Sequence, residues 1–343
     1  MPAAALASLA AATLVILIYV GSRGLRDFDA ALIGYAVGTV FAVAGLVYRY
    51  TLWITRPPTW RYFRAGWRDF LSWRNFRRYT TLIPVAWWTD ILAQTFIFRR
   101  GALRWAMHMA IFWGVILSLA ITLPLTFGWL RFTLSGEEHY RIWFFGIRLF
   151  RFPLHTLISF TIFHALDFTA ILLLVGLGIA FWRRTTHAGF LTTQRFGFDL
   201  LPLTLLFAIA VTGLALTGSE LLWKGRFYSF ISLVHEVIVV GWLLSLPFGK
   251  FFHIIERPAT IGVTLYQTVN EDVDRAGAPG ASCRRCGESL PSRQFVLDLK
   301  ATLDELGQGY DMDEYGSLQD YCPTCKRILR GQAYYRLMEA RFL

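Results

Sequence analysis

The chain is poor in cysteine: it has four in 343 residues, and none before position 283. A disulfide-stapled extracellular scaffold would need them spread through spans and outer loops, so that class is excluded. Acids are scarce too, and unevenly placed. Residues 1–254 hold 10 Asp/Glu against 23 Lys/Arg, whereas residues 255–343 hold 13 against 11. No internal repeat and no low-complexity tract is present, which excludes a repeat array. What the chain has instead is apolar surface. Hydrophobic residues make 55% of it, aromatics 16%, and the mean hydropathy is +0.45. That exceeds a soluble balance and points to membrane spans. Many aromatics end apolar runs, as in interfacial belts. The net charge of +11 sits beside those runs. It therefore reads as topology and headgroup contact, not nucleic-acid binding.

A span needs about 20 apolar residues. Six segments qualify: 5–20, 30–48, 103–129, 154–182, 198–222 and 230–255. The first lacks a positive n-region and is expected to be an uncleaved helix, not a signal peptide. The loop from Arg49 to Arg104 carries 11 arginines against Asp69 and Asp90. The positive-inside rule makes it cytoplasmic, which places both termini inside and the loops at 130–153 and 223–229 outside. The segment 80–100 is apolar but contains Pro84, Asp90 and Gln94. It is expected to be a helix lying in the interface, with a seventh span as the alternative. After Pro258 the composition changes, and a polar, Gly/Pro-containing linker, "NEDVDRAGAPGASC" (Asn270–Cys283), leads to a cytoplasmic tail. The expected domains are an extra N-terminal helix (1–28), a membrane domain (29–258) and the tail (259–343).

Ionisable side chains inside spans are costly and functional by default. His235 and His253 lie 18 residues apart in the last apolar segment. On one continuous helix that is five whole turns, so both rings would share a face about 27 Å apart along the axis. Two stacked haems would require such a pair, since imidazole is a common axial ligand. Two unrelated histidines bonded to neighbouring helices would give the same spacing. By depth from the inner boundary, His253 matches His108. His235 matches His164, with His155 as the alternative ligand, and the absence of an outer haem is a third reading. His155 would lie about 42 Å from the inner boundary, beyond a core of about 30 Å.

The segment "LVHEVIVVGWLLSLPFGKFFHI" resembles the final helix of the gamma (cytochrome b) subunit of respiratory nitrate reductase. It has the same interval between histidines and the same Pro-Phe-small-basic signature before the second. "RRGALRWAMHMAIFWGVI", "GIAFWRRTT" and "RFGFDLLPLTLLFAIAVTGLAL" extend the likeness over about residues 30–260. The "RW..H..IFWG" stretch is similar to membrane subunits of heterodisulfide reductase and of the sulfite-reduction-associated complex. The resemblance implies a five-helix b-type cytochrome in a bacterial or archaeal cytoplasmic membrane. Such a subunit exchanges electrons with a quinone pool, and its inner haem faces a cytoplasmic iron–sulfur partner. Terminal catalysis belongs to a further subunit. His108, His235 and His253 fall on family ligand positions. The fourth position, ten residues after His108, is Ser118. Serine cannot ligate the iron, which leaves the outer haem without that ligand or moves the role to His164. The resemblance also places a quinone site near the outer haem. Asp167, three residues after His164, and Glu236 are candidates for it; Lys224 reads as an interfacial anchor.

The tail carries "CRRCG" (Cys283, Cys286) and "CPTCKR" (Cys322, Cys325). Two CxxC knuckles make a four-thiolate site, for which structural zinc is the default and a single rubredoxin-like iron the alternative. The whole reads as an all-α membrane protein: six spans, b-haems and a zinc-ribbon-like tail. The rival readings are a haem-free anchor and a transporter-like protein with a regulatory tail. Against a transporter, no span is broken by a Gly/Pro pair.

Overall fold

A computed structural model of the protein describes residues 2–70, 72–186, 194–275, 281–309 and 316–342. His187, expected at the surface, and the linker residues 276–280 lie outside them. The chain divides into two compact units, Met1–Thr51 with Leu92–Ile255 and Leu52–Ile91 with Glu256–Leu343.

The first unit holds the membrane helices. They are α1 (Ala3–Gly21), α2 (Ile33–Ile54, entered by a 3-10 turn), α6 (Ala102–Thr126), α8 (Ala165–Thr186), α9 (Leu201–Trp223, preceded by a π turn at Phe196–Leu200) and α10 (Tyr228–Ser245). All six are long and apolar enough to cross a membrane, so the chain is a multi-pass membrane protein. Helices in lipid gain little from hydrophobic burial against each other and associate through close packing at small residues. Gly114 of α6 faces Leu173 of α8, and Gly176 of α8 faces Ile111 of α6. An added Cβ at either glycine would come within 2.8 Å of its neighbour. The core continues through Val115, Leu177, Leu206, Ala210, Trp242 and Leu243.

Two expected spans differ from their outlines. The fourth begins at Ala165, because His164 breaks it from a short helix α7 (Leu157–Phe163). The sixth ends at Ser245, so His235 and His253 do not share one continuous helix. Pro247 has no N–H to give the helical ladder. The amides of Leu246, Phe248 and Gly249 instead close tight turns onto the carbonyls of Leu243 and Ser245. Lys250–Phe252 then form a 3-10 turn, and α11 runs His253–Arg275. The helix therefore continues past Pro258 and takes in residues 270–275, the first part of the segment expected to be a linker.

The loop at 130–153 is an antiparallel meander. Strands β1 (Leu130–Leu134), β2 (His139–Phe144) and β3 (Ile147–Pro153) pair with Leu130 opposite Phe144 and His139 opposite Pro153. It meets the α1–α2 turn. Asp27 takes a bidentate pair of bonds from Arg23, both 2.6 Å, and lies 3.1 Å from Arg131 of β1. The Trp129 indole donates to the Leu17 carbonyl at 3.0 Å.

The second unit joins the long basic loop to the tail. The loop folds as α3 (Pro57–Phe70) and α4 (Trp73–Ala86), then a π turn at Trp87–Leu92. A short helix α5 (Thr95–Phe98), which belongs to the first unit, follows Gln94 with its φ of 47°. The segment expected to lie in the interface is thus helical but interrupted. Arg61 of α3 pairs with Asp298 and Glu305 of α12 (Arg293–Glu305). Tyr62 stacks on Phe295, and Tyr266 of α11 donates to Asp298. The loop and the tail belong to one body, so the membrane does not separate them.

Candidate functional site

His253 owes its environment to the interrupted helix. As the first residue of α11 it turns Nδ1 onto the carbonyl of Lys250, 2.5 Å away. A carbonyl only accepts, so Nδ1 carries the proton and Nε2 the lone pair. The Lys250 ammonium pairs with Asp199 Oδ1 at 2.7 Å, and Asp199 Oδ2 accepts from the Arg195 amide at 3.0 Å. This chain of bonds pins the 3-10 turn to the start of the fifth span.

His253 and His108 line one cavity of about 290 Å³. Ile111, Phe112, Leu206 and Phe251 supply apolar wall, and Arg183, Arg184 and Lys250 bring positive charge to it. His108 comes from the second turn of α6, so residues 145 positions apart meet at one end of the helical core. Depth matching along the sequence put these two histidines together, and the structure does the same without a continuous last helix.

The second pair of histidines is arranged differently. His235 Nδ1 lies 2.8 Å from Thr212 Oγ1 on α9, and Thr212 spends its own proton on the Ala208 carbonyl at 2.7 Å. The ring is therefore the donor and again keeps the Nε2 lone pair. His164 Nδ1 meets Asp167 Oδ2 at 2.7 Å, and Asp167 Oδ1 accepts from Thr217 Oγ1 of α9 at 2.8 Å. Among the described residues, no hydrogen bond engages Nε2 of His164, His235 or His253. The two α9 threonines are five residues apart, about 7.5 Å along the axis. The contacts therefore tie His164, through Asp167, and His235 to different levels of α9. Ser118 Oγ bonds Thr169 Oγ1 of α8 at 2.8 Å. His155 sits exposed in the turn after β3 with φ 55°. Lys224 is the exposed left-handed cap of α9. Glu236 rests against α2 at Gly34, where a Cβ would meet its Oε1.

In the tail, the four cysteine sulfurs lie within 4.8 Å of one another, three buried and Cys286 exposed. Each knuckle is shaped by its own backbone bonds. The Gly287 amide reaches the Cys283 carbonyl at 2.9 Å with φ 75°, a left-handed turn that glycine takes without strain. Cys325 opens α13 (Pro323–Phe342) and donates its amide to Cys322 Sγ at 3.4 Å, while the Cys322 amide reaches Cys283 Sγ at 3.3 Å. Burial pushes the Cys283 thiol up, but backbone N–H bonds from Cys322, Cys286 and Arg285 outweigh it and bring the thiol down to about 6. Cys325 is pushed up to about 12 by burial and by its neighbouring thiols. Four sulfurs this close cannot all ionise without a cation among them, so the cluster can hold a metal ion.

Sequence reasoning named the histidines and cysteines but missed Thr212, Thr217, Asp199 and Lys250, the groups that orient them. The signal for the first pair was that Thr212 and Thr217 are two of the few polar residues in the mostly apolar α9. No family model, curated protein or solved structure matches the chain.

Proposed function

We propose that this chain is the membrane cytochrome b subunit of a respiratory oxidoreductase in a bacterial or archaeal cytoplasmic membrane, with both termini cytoplasmic. It would pass electrons between membrane quinol or quinone and a cytoplasmic iron–sulfur subunit, with terminal catalysis in a further partner. The observation that carries this is the cavity shared by His108 and His253. Two imidazoles in an apolar wall are residues that would hold a haem iron, and the cations there would suit a haem's carboxylates. A haem held there supplies one-electron redox chemistry. The chain's own residues do the rest. His108 and His253 hold the iron from two helices. The Lys250 carbonyl fixes the His253 tautomer, as second-shell acceptors do for ligating histidines. The apolar wall keeps water from the site.

A second, outer haem on His235, with His164 as partner, is part of the proposal. Its support is narrower: both rings engage Nδ1 and leave Nε2 to ligate. For the tail we propose zinc. A tetrahedral site with Zn–S bonds of about 2.3 Å has sulfurs about 3.8 Å apart, and Cys286 and Cys322 stand 3.7 Å apart. Zinc has no redox chemistry, so the tail would stabilise and dock.

The test is a reduced-minus-oxidised spectrum of the purified protein with a haem count. The expected result is a b-type α-band. His108→Ala and His253→Ala should each lose the same haem. If two haems are present, His164→Ala should lose the other and His155→Ala neither. A flat spectrum would sink the proposal in favour of a haem-free anchor or transporter.

A further inference from the structure

The meander at residues 130–153 has two unlike faces. Its pairing sets Arg131 opposite Trp143, Thr133 opposite Arg141, Arg141 opposite Arg151 and Trp143 opposite Arg148, so these six share one face. Phe132, Tyr140 and Phe152 share the other and pack on Phe163 of α7, with ring centroids 5.3, 5.0 and 6.1 Å away. That aromatic face is the sheet's own core, and it turns the arginines the other way.

The arginine face carries charge that the protein does not balance. The strands place no acid on it, and Glu137 and Glu138 lie exposed in the turn between β1 and β2. Arg131 is held by Asp27 at 3.1 Å. No hydrogen bond or ion pair engages Arg141, Arg148 or Arg151 among the described residues. Like charges directly opposite across a strand pair are destabilising, so Arg141 facing Arg151 calls for an anion between them. Arg148 is already placed for one. Its guanidinium lies 5.2 Å from the centre of the Trp143 ring, and a 2.8 Å bond to Thr133 Oγ1 fixes that indole.

Beside these arginines the sheet is apolar. Ile147, Leu149 and Phe150 of the edge strand β3 are 51–65% exposed. Phe145, in the turn before β3, stacks on Trp129 at 5.0 Å, and the Trp129 indole bonds the Leu17 carbonyl near the end of α1. This end of the meander therefore stands level with the end of a membrane span, where headgroups meet acyl chains.

We propose that the face formed by Arg141, Arg148 and Arg151 binds the phosphate headgroup of an anionic phospholipid, whose acyl chains lie along Ile147, Leu149 and Phe150. Guanidinium forks take phosphate oxygens in pairs, which an ammonium does not. Two stations, Arg141 with Arg151 and Arg148 on Trp143, lie two residues apart along β2, about 7 Å. With no acid on the face to take an ammonium, a net-negative headgroup such as phosphatidylglycerol fits better than a zwitterionic one. A soluble acidic protein would answer the arginines but leave the three apolar side chains in water. The inference does not rest on the haem, quinone or zinc proposals.

The test is native mass spectrometry of the purified full chain in a non-ionic detergent. It is titrated with phosphatidylglycerol, phosphatidylcholine, inorganic phosphate or a polyglutamate peptide. The wild type should retain phosphatidylglycerol in preference to phosphatidylcholine, and inorganic phosphate at equal concentration should not displace it. Arg141→Gln with Arg151→Gln should weaken phosphatidylglycerol binding about tenfold or more, the scale of lost hydrogen bonds to a charged group. Arg141→Lys with Arg151→Lys keeps the charge but not the forks. It should fall between, and it carries the test if the glutamine pair does not fold. Ile147→Ser with Phe150→Ser should also weaken binding of the lipid. Wild-type affinity for phosphatidylglycerol in both arginine double variants overturns the inference, as does equal retention of the two lipids by the wild type. Displacement by inorganic phosphate makes the face a site for a free anion, and arginine-dependent binding of polyglutamate without the lipid makes it a protein-docking face. Either result also overturns the inference.

Discussion

A histidine in an apolar helix needs an acceptor for its N–H, and the acceptor decides which nitrogen remains to bind. Here a threonine hydroxyl, a carboxylate and a backbone carbonyl each take Nδ1. The histidines were legible in the sequence because ionisable groups stand out in apolar runs. Asp167, three residues from His164, was legible as well; the other two acceptors were not, because Thr212 lies 23 residues from His235 and the acceptor for His253 is a backbone carbonyl. The same scale governs Asp27, whose side chain is only 4% exposed between two arginines. The Arg23 bond holds its carboxyl below the usual carboxylate range; burial opposes this, and the charges of Arg131 and Arg23 add to the lowering. A depressed acid stabilises the fold above its unfolded value, near 3.9, and loses that contribution as pH falls through the folded value. Asp27→Asn should cost about 1–3 kcal/mol near neutral pH, since it leaves partly exposed arginines unpaired. Thermal unfolding in detergent should show the gap to wild type closing as the pH is taken below about 4.

At the scale of elements, the last apolar stretch teaches most. Spacing alone treats residues 230–255 as one rod with both histidines on one face. Pro247 and Gly249 divide it, which corrects the expectation that no span is broken by a Gly/Pro pair, and the 3-10 turn between them and α11 aims His253 at the cavity with His108. The proline was visible in the sequence. What could not be read was whether the helix would kink and run on, as many membrane helices do at proline, or stop. The double change Pro247→Ala with Gly249→Ala restores the missing donor and removes the flexible residue. It should keep the helical circular dichroism while haem bound at His108 and His253 falls by more than half, measured as haem per protein. The meander at 130–153 was readable but missed. "LRFTL" alternates at period two, and Gly136 and Gly146 sit at the turns.

At the scale of the whole molecule, charge and hydropathy separated a membrane part from a tail and put the boundary at Pro258. The second unit resumes close to it, at Glu256, but also takes in Leu52–Ile91, so α3 and α4 of the long loop join the tail in one unit. Arg61 and Tyr62 make that union with α12 and α11. The four-cysteine cluster is the core of the unit's far end: Cys283, Cys322, Cys325 and Tyr321 are its buried residues. So small a core would depend on the metal proposed for it. Stripping the metal with a strong chelator, or Cys322→Ser, should raise protease cleavage within residues 281–342 about tenfold or more. The membrane helices and any haem band should persist, and elemental analysis should find one zinc per chain lost.

The sequence by itself determined the number of spans, the tail with its two knuckles, and the identity of the ionisable side chains. Each is local: hydropathy needs only about 20 consecutive residues, and a CxxC needs four. Tertiary structure alone decided which of those side chains meet. It set His108 and His253 on one cavity, tied His164 and His235 to different levels of α9, and set Glu236 against α2 at Gly34. The reason is that helix periodicity fixes positions along one axis, while depth, rotation and helix breaks across the bundle are set by close packing at Gly34, Gly114, Gly176 and Pro247.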